Sequence, residues 1–158
     1  MGSSAQVVFP HKLFLEHLEA PRDTLMLLVE PDLFFRHLPF HRQKLVLHRA
    51  SMRAFQDRLH EAGYATAYVE TSADAAGDDR LLETLTAHDV TTVTAYDVVD
   101  DWLDRDLRRT CERAGVGLEV VDTPAFLTTD AEVRELFAGC GTRACSTSTS
   151  TSGAALTC

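Results

Sequence analysis

Between Arg36 and Arg53 the chain carries five basic residues (Arg36, Arg42, Lys44, Arg49, Arg53) and three histidines (His37, His41, His48) with no acid among them, although its formal net charge is -9. Near the start of a helix, where unpaired N–H groups add to the positive field, such a stretch suits a phosphate or a ribityl-like polar tail. For Arg49 and Arg53 the alternative is a solvated helix face with salt bridges. A second set of residues follows the apolar runs: Pro10, His11 and Lys12 after the first, Glu30, Pro31 and Asp32 after the second, Tyr96 and Asp97 after the fourth. Ligands of an open parallel sheet bind outside the carboxyl ends of its strands. This set offers donors, acceptors and an aromatic face for a planar polar heterocycle, against the alternative that they are ordinary solvated loop residues.

Other chemistries find less support. The first apolar run is followed by Phe9-Pro10-His11-Lys12-Leu13-Phe14, with no Gly-rich phosphate loop, and no G-x-S-x-G elbow occurs. His41 and His48 stand two turns apart without a second pair at metal-ligand spacing, so no metal is expected there. Cys140, Cys145 and Cys158 match no cluster or zinc pattern, and with Cys111 as the remaining cysteine no disulfide framework emerges. The acids Asp100, Asp101 and Asp104 suit a helix N-terminus and read as structural. A net charge of -9 opposes non-specific attraction to DNA. With no apolar run near the roughly 18 residues of a membrane span and no signal-like start, a cytoplasmic protein is expected.

The elements that must position these residues follow from periodicity. Short β-branched runs at Gln6 to Phe9, Thr24 to Val29, Thr66 to Val69, Thr92 to Tyr96 and Leu118 to Val121 alternate with helical segments, the pattern of parallel strands joined by crossover helices. Leu45, His48, Met52, Phe55, Leu59 and Ala62 recur on one face of a helix from about His41 to Ala62, closed by Gly63. A second helix covers about Arg80 to Ala87, and a third starts after Asp100 as N-cap and ends at Ala114 and Gly115. The expected fold is α/β, an open doubly wound five-stranded parallel sheet of Rossmann-like or flavodoxin-like type, its strands covered on both faces. One domain is expected over residues 1–137. The segment 138–158, with Ser and Thr alternating from Ser146 to Ser152, cannot offset its ordering entropy by burial and is expected to be disordered.

Several stretches together carry a resemblance: Phe9-Pro-His-Lys-Leu-Phe, Leu28-Val-Glu-Pro with Phe34-Phe35-Arg36, FHRQKLVLHRASMRAF from Phe40 to Phe55, YDVVDDWL from Tyr96 to Leu103, and DTPAFLT from Asp122 to Thr128. From about Gln6 to Phe137 the chain resembles the deoxyribodipyrimidine photolyase-related proteins, the iron-sulfur bacterial branch of the cryptochrome/photolyase family. The resemblance implies an N-terminal α/β domain that holds a lumazine-type antenna, 6,7-dimethyl-8-ribityllumazine or similar. Pro10, His11, Lys12, Glu30, Phe34, Phe35, His41 and Lys44 would line the antenna pocket, with Lys12 standing where Gln is expected. FAD and the iron-sulfur cluster would belong to a later helical domain, and damaged DNA would be a partner of the full-length family rather than of this chain alone. Light-dependent DNA repair or blue-light sensing would then be the task of the full-length relative.

On this reading the chain stops before the flavin domain, has no catalytic residue of its own, and ends in a frameshifted tail. Codons for the alternating Ser and Thr, read one base out of phase, permit His-Leu-His-Leu-Tyr-Glu-Trp, which resembles the family's aromatic stretch leading into the helical domain. The competing readings are a stand-alone nucleotide-binding or regulatory α/β module, and a non-functional truncated product.

Overall fold

The structure, a computed structural model, describes residues 2–72, 74 and 76–138. The expected disordered or frameshifted tail from residue 139 onward lies outside the described residues. Five strands, β1 (Ser3–Val8), β2 (Leu25–Val29), β3 (Thr66–Val69), β4 (Val90–Tyr96) and β5 (Gly117–Val121), pair in parallel in the order β3-β2-β1-β4-β5. Every residue of β2, Leu-Met-Leu-Leu-Val, is buried, as an interior strand with apolar cover on both faces requires.

Helix α1 (Arg42–Glu61) joins β2 to β3, α2 (Gly77–Ala87) joins β3 to β4, and α3 (Asp101–Ala114) joins β4 to β5. The connection from β1 to β2 is only a 3-10 turn, Leu15–Glu19. On one face Met52, Phe55 and Leu59 of α1, with Tyr64, pack on Val8, Met26 and Leu28. On the other, Leu81 and Leu85 of α2 and Leu103, Leu107 and Cys111 of α3 pack on Val7, Leu27, Val93 and Ala95. The sheet is therefore doubly wound, as the alternation of runs implies. Met52 and Leu59 are fully buried, and truncating either to Ala would cost about 2–5 kcal/mol in lost transfer energy and cavity.

Helix ends follow their local chemistry. The ring Nδ1 of His41 accepts the Gln43 N–H at 3.2 Å and starts α1. At its end, Gly63 takes φ 87°, with its N–H on the His60 carbonyl and that of Tyr64 on the Leu59 carbonyl, a Schellman closure that only a residue free of Cβ strain adopts readily. Asp100 caps α3 by accepting the N–H groups of Trp102 and Leu103 at 3.0 and 3.1 Å.

Among the described residues of the unit that holds the sheet, the expected helical cover is present on only one face of β4 and β5. In β4 the buried residues Val90, Val93 and Ala95 alternate with exposed or half-exposed Thr92, Thr94 and Tyr96. Both α2 and α3 lie on the opposite face, while α1 and the 3-10 turn serve β1, β2 and β3. The described residues divide into two compact units, one up to Ala125 and one from Phe126. The second contains α4 (Asp130–Phe137), whose start is a capping box: Thr129 Oγ1 accepts the Glu132 N–H at 3.2 Å, and Glu132 Oε2 accepts the Thr129 N–H at 2.7 Å. Among the described residues no helix is long and apolar enough to cross a membrane.

Candidate functional site

At the carboxyl end of β2, Glu30 is completely buried, and a buried carboxylate is tolerated only when paired and hydrogen-bonded. Its Oε1 accepts from Arg49 Nε at 2.8 Å and from the Tyr68 hydroxyl at 2.9 Å. Its Oε2 accepts from Arg49 Nη2 at 2.8 Å and from the Thr71 N–H at 3.1 Å. The bidentate geometry uses the Nε–Nη2 edge of the guanidinium. The hydrogen bond to Glu30 holds the Arg49 guanidinium above its usual pKa. Burial first, then the Glu30 bond, raises that of Tyr68. Arg53 stacks 3.5 Å from the Tyr68 ring centroid, and Arg49 and Arg53 approach Glu70 at 3.6 and 3.7 Å.

A second anchor lies beside the first. Asp32 accepts from the Thr71 hydroxyl and, at 3.0 and 3.1 Å, from the Gly77 N–H at the start of α2. Position 77 tolerates no side chain, since a Cβ there would stand 2.5 Å from the Glu30 carbonyl oxygen. Glu30, Asp32, Arg49 and Thr71 thus tie the ends of β2 and β3 to two helices, giving rigid support to the surface above them.

That surface is aromatic. A π-helical turn, Leu33–His37, presents Phe34 and Phe35. His11 meets Phe34 edge-on at 5.2 Å between centroids, and Phe34 in turn meets Phe40 at 5.9 Å and stacks on His48 at 6.4 Å. His48 lies 6.3 Å from Phe35, and Lys44 Nζ sits 3.6 Å above Phe40. The His11 ring keeps an exposed edge, yet desolvation of its packed side, with Lys12 adding its charge, lowers its pKa to about 4. Burial, then Lys44, also lowers that of His48. Both rings are neutral at pH 7 and serve as apolar, hydrogen-bonding surface.

The eight residues read from sequence are therefore distributed unequally. His11, Phe34, Phe35 and Lys44 join one connected cluster. Glu30 lies beneath it and acts through Arg49, with no oxygen open to a ligand, and Pro10 is buried. Lys12 turns away: it is buried, and its Nζ donates to Thr123 Oγ1 at 3.1 Å beyond β5. His41 is occupied as the helix cap. Tyr68, Thr71, Ser72 and Gly77 were not singled out from sequence, because nothing in a strand end and a short loop marks the partners that folding brings to them.

Next to Phe35 opens a cavity of about 720 Å³, lined also by Arg36, Arg42, Arg49, Thr71 and Ser72. Its size falls within the range of small-molecule sites. Arg36 is 3.8 Å from Asp32, while Arg42 has no salt bridge among the described residues. Three arginines, the Glu70 carboxylate and the Ser72 hydroxyl thus line one aromatic face, while the Thr71 hydroxyl is committed to Asp32. At the topological switch point, β1 and β4 are neighbours whose connections diverge. There the β-branched Val99 is held at φ 64°, a conformation that costs energy and that clusters at functional sites.

No curated protein matches the chain. A family model described as "Deoxyribodipyrimidine photo-lyase-related protein" matches residues 6–145, most of the chain, from within β1 through β5 and α4. The chain belongs to the deoxyribodipyrimidine photo-lyase-related protein family.

Proposed function

We propose that this domain is the antenna-chromophore domain of a photolyase-related protein and binds 6,7-dimethyl-8-ribityllumazine, or a similar planar heterocycle with a polyol tail, in the cavity beside Phe35. Light-dependent DNA repair or blue-light sensing is then the task of the larger protein, with FAD, the iron-sulfur cluster and damaged DNA engaged outside the residues described here. The observation that carries the reading is the convergence of an aromatic face, three arginines and the Ser72 hydroxyl in one cavity.

The residues present fit such a group. Phe35 offers a ring face, and Arg42 and Ser72 offer donors suited to the tail's hydroxyls. Arg49, locked by Glu30, adds a fixed guanidinium 5.4 Å from the Phe35 centroid. His48, 6.3 Å from the Phe35 centroid, packs beside that ring, and Phe34 stacks on the same His48. When bound, the chromophore would absorb light and pass its excitation to an acceptor. The chain's own part is to hold and orient it.

Titrating the purified protein with the lumazine should change the ligand's fluorescence in a saturable manner. Phe35→Ala should weaken binding by about tenfold, the scale of one lost aromatic contact. An unchanged spectrum at hundreds of micromolar protein would exclude the proposal.

A further inference from the structure

Three stretches of chain bring arginines and a hydroxyl to the cavity beside Phe35. Arg42 and Arg49 stand about two turns apart on α1 and so share one of its faces, Arg36 comes from the π-helical turn, and Ser72 follows β3. These groups differ in what they have left to give. The Glu70 carboxylate is engaged by Arg49 and Arg53, and the Thr71 hydroxyl donates to Asp32. Arg49 spends Nε and Nη2 on Glu30 and keeps Nη1. Arg36 stands 3.8 Å from Asp32, beyond hydrogen-bond length, while that carboxylate accepts from Thr71 and the Gly77 N–H instead. The Arg42 guanidinium has neither an ion pair nor a hydrogen bond among the described residues. Ser72 Oγ accepts from Arg80 Nη2 at 3.5 Å, which leaves its own proton to donate.

What remains available is therefore almost all donor. The hydroxyls of a polyol both donate and accept, and such a lining matches only half of that capacity. A phosphate monoester presents three strong acceptor oxygens and about two negative charges at neutral pH. Two further observations favour an anion. Arg36, Arg42, Arg49 and Arg53 against the carboxylates of Glu30, Asp32 and Glu70 leave one positive charge uncompensated. Arg42 is also the first residue of α1, a 20-residue helix with no acid in its first turn, so the positive end of the helix dipole adds to its guanidinium.

We propose that Arg42, Arg36 and Ser72 form a phosphate subsite in this cavity, so that a planar heterocycle whose tail ends in a phosphate monoester binds more tightly than the same heterocycle with a neutral tail. The inference rests on the reading of the cavity as the chromophore site. The planar fork of a guanidinium matches two phosphate oxygens at once, and Ser72 serves a third while the ring lies against Phe35.

Two pairs of probes separate the subsite from that reading. Ribose 5-phosphate and ribose carry no heterocycle. In an NMR titration of the isotopically labelled protein, the phosphate should shift the Arg36 and Arg42 Nε–H signals and the Ser72 amide, and ribose should not. Flavin mononucleotide and riboflavin differ only in the phosphate, and in a fluorescence titration the mononucleotide should bind about tenfold more tightly. Arg42 is exposed, so Arg42→Gln should fold as the parent chain does by circular dichroism and should remove this preference. If the lumazine and both flavins fail to bind while ribose 5-phosphate shifts those signals, the chromophore reading falls and the subsite stands. Measurable but equal affinity for the two flavins, no response to ribose 5-phosphate at millimolar concentration, or the same shifts from sodium chloride at matched ionic strength would each overturn the subsite, whatever the lumazine does.

Discussion

Replacing Arg49 by Met tests the anchor beneath the candidate site. The change keeps most of the aliphatic stem and removes the two guanidinium bonds to Glu30, at 2.8 Å each. Glu30, with no exposure of its own, keeps the Tyr68 hydroxyl and the Thr71 N–H but becomes a buried charge without a counter-ion. Breaking a buried pair from one side typically costs 3–5 kcal/mol. The Arg49 side chain is 46% exposed, so water screens part of the loss, and about 3 kcal/mol is expected. With a urea m-value of about 1.5 kcal/mol/M, the unfolding midpoint should fall by roughly 2 M at unchanged m. Glu30→Gln/Arg49→Met should cost less than the sum of the single changes, with a coupling of about 1–3 kcal/mol. A loss below 1 kcal/mol in Arg49→Met, or strict additivity in the double variant, would refute the claim that the pair acts as one buried unit.

Asp100→Ala removes the acceptor for two N–H groups at the start of α3 and should cost about 1 kcal/mol in urea unfolding; an unchanged midpoint would show that the cap carries no energy. The His11 ring should titrate by NMR at about 4, against the ordinary value of about 6.5, and a midpoint near 6.5 would show that its environment is not desolvating. Because that folded-state pKa is depressed, the unfolded chain takes the proton first. The stability contributed by neutral His11 is complete above about 6.5 and declines as pH falls toward 4, so His11→Gln should flatten this part of the acid limb. Cys111 is 1% exposed, and burial lifts its thiol pKa to about 11. Iodoacetamide at pH 8 should therefore label it only after denaturation, and rapid native labelling detected by mass spectrometry would contradict this burial.

Much of the fold is legible in the sequence because its signals are local. The β-branched run Thr66 to Val69 marks β3 to the residue, and the period of Met52, Phe55 and Leu59 marks the buried stripe of α1. Asp100 and Gly115 are terminal signals that the backbone uses directly. The face of β4 and β5 without helical cover among the described residues was also written locally, in the alternation of Thr92, Val93, Thr94 and Ala95. A general rule for parallel strands, that both faces are covered, obscured it.

The site was harder to read, because its partners are distant in sequence. Lys12 and Thr123 are 111 residues apart, and no local pattern says that a lysine following β1 will reach past β4. Glu30 looked like a ligand-facing acid, since its residue type and strand-end position are the same whether it meets solvent or an arginine 19 residues onward. The aromatic cluster was more accessible: Phe34, Phe35 and Lys44 lie within one short segment, and only His11 had to come from another strand.

The claim that the strand-end cavity beside Phe35 holds a lumazine is tested most directly by a crystal structure of the protein soaked with 6,7-dimethyl-8-ribityllumazine. Ligand density is expected against Phe35, with the tail within hydrogen-bond reach of Arg42 or Ser72 and the Glu30–Arg49 pair intact. An empty cavity at saturating ligand, or density at another surface, would contradict it.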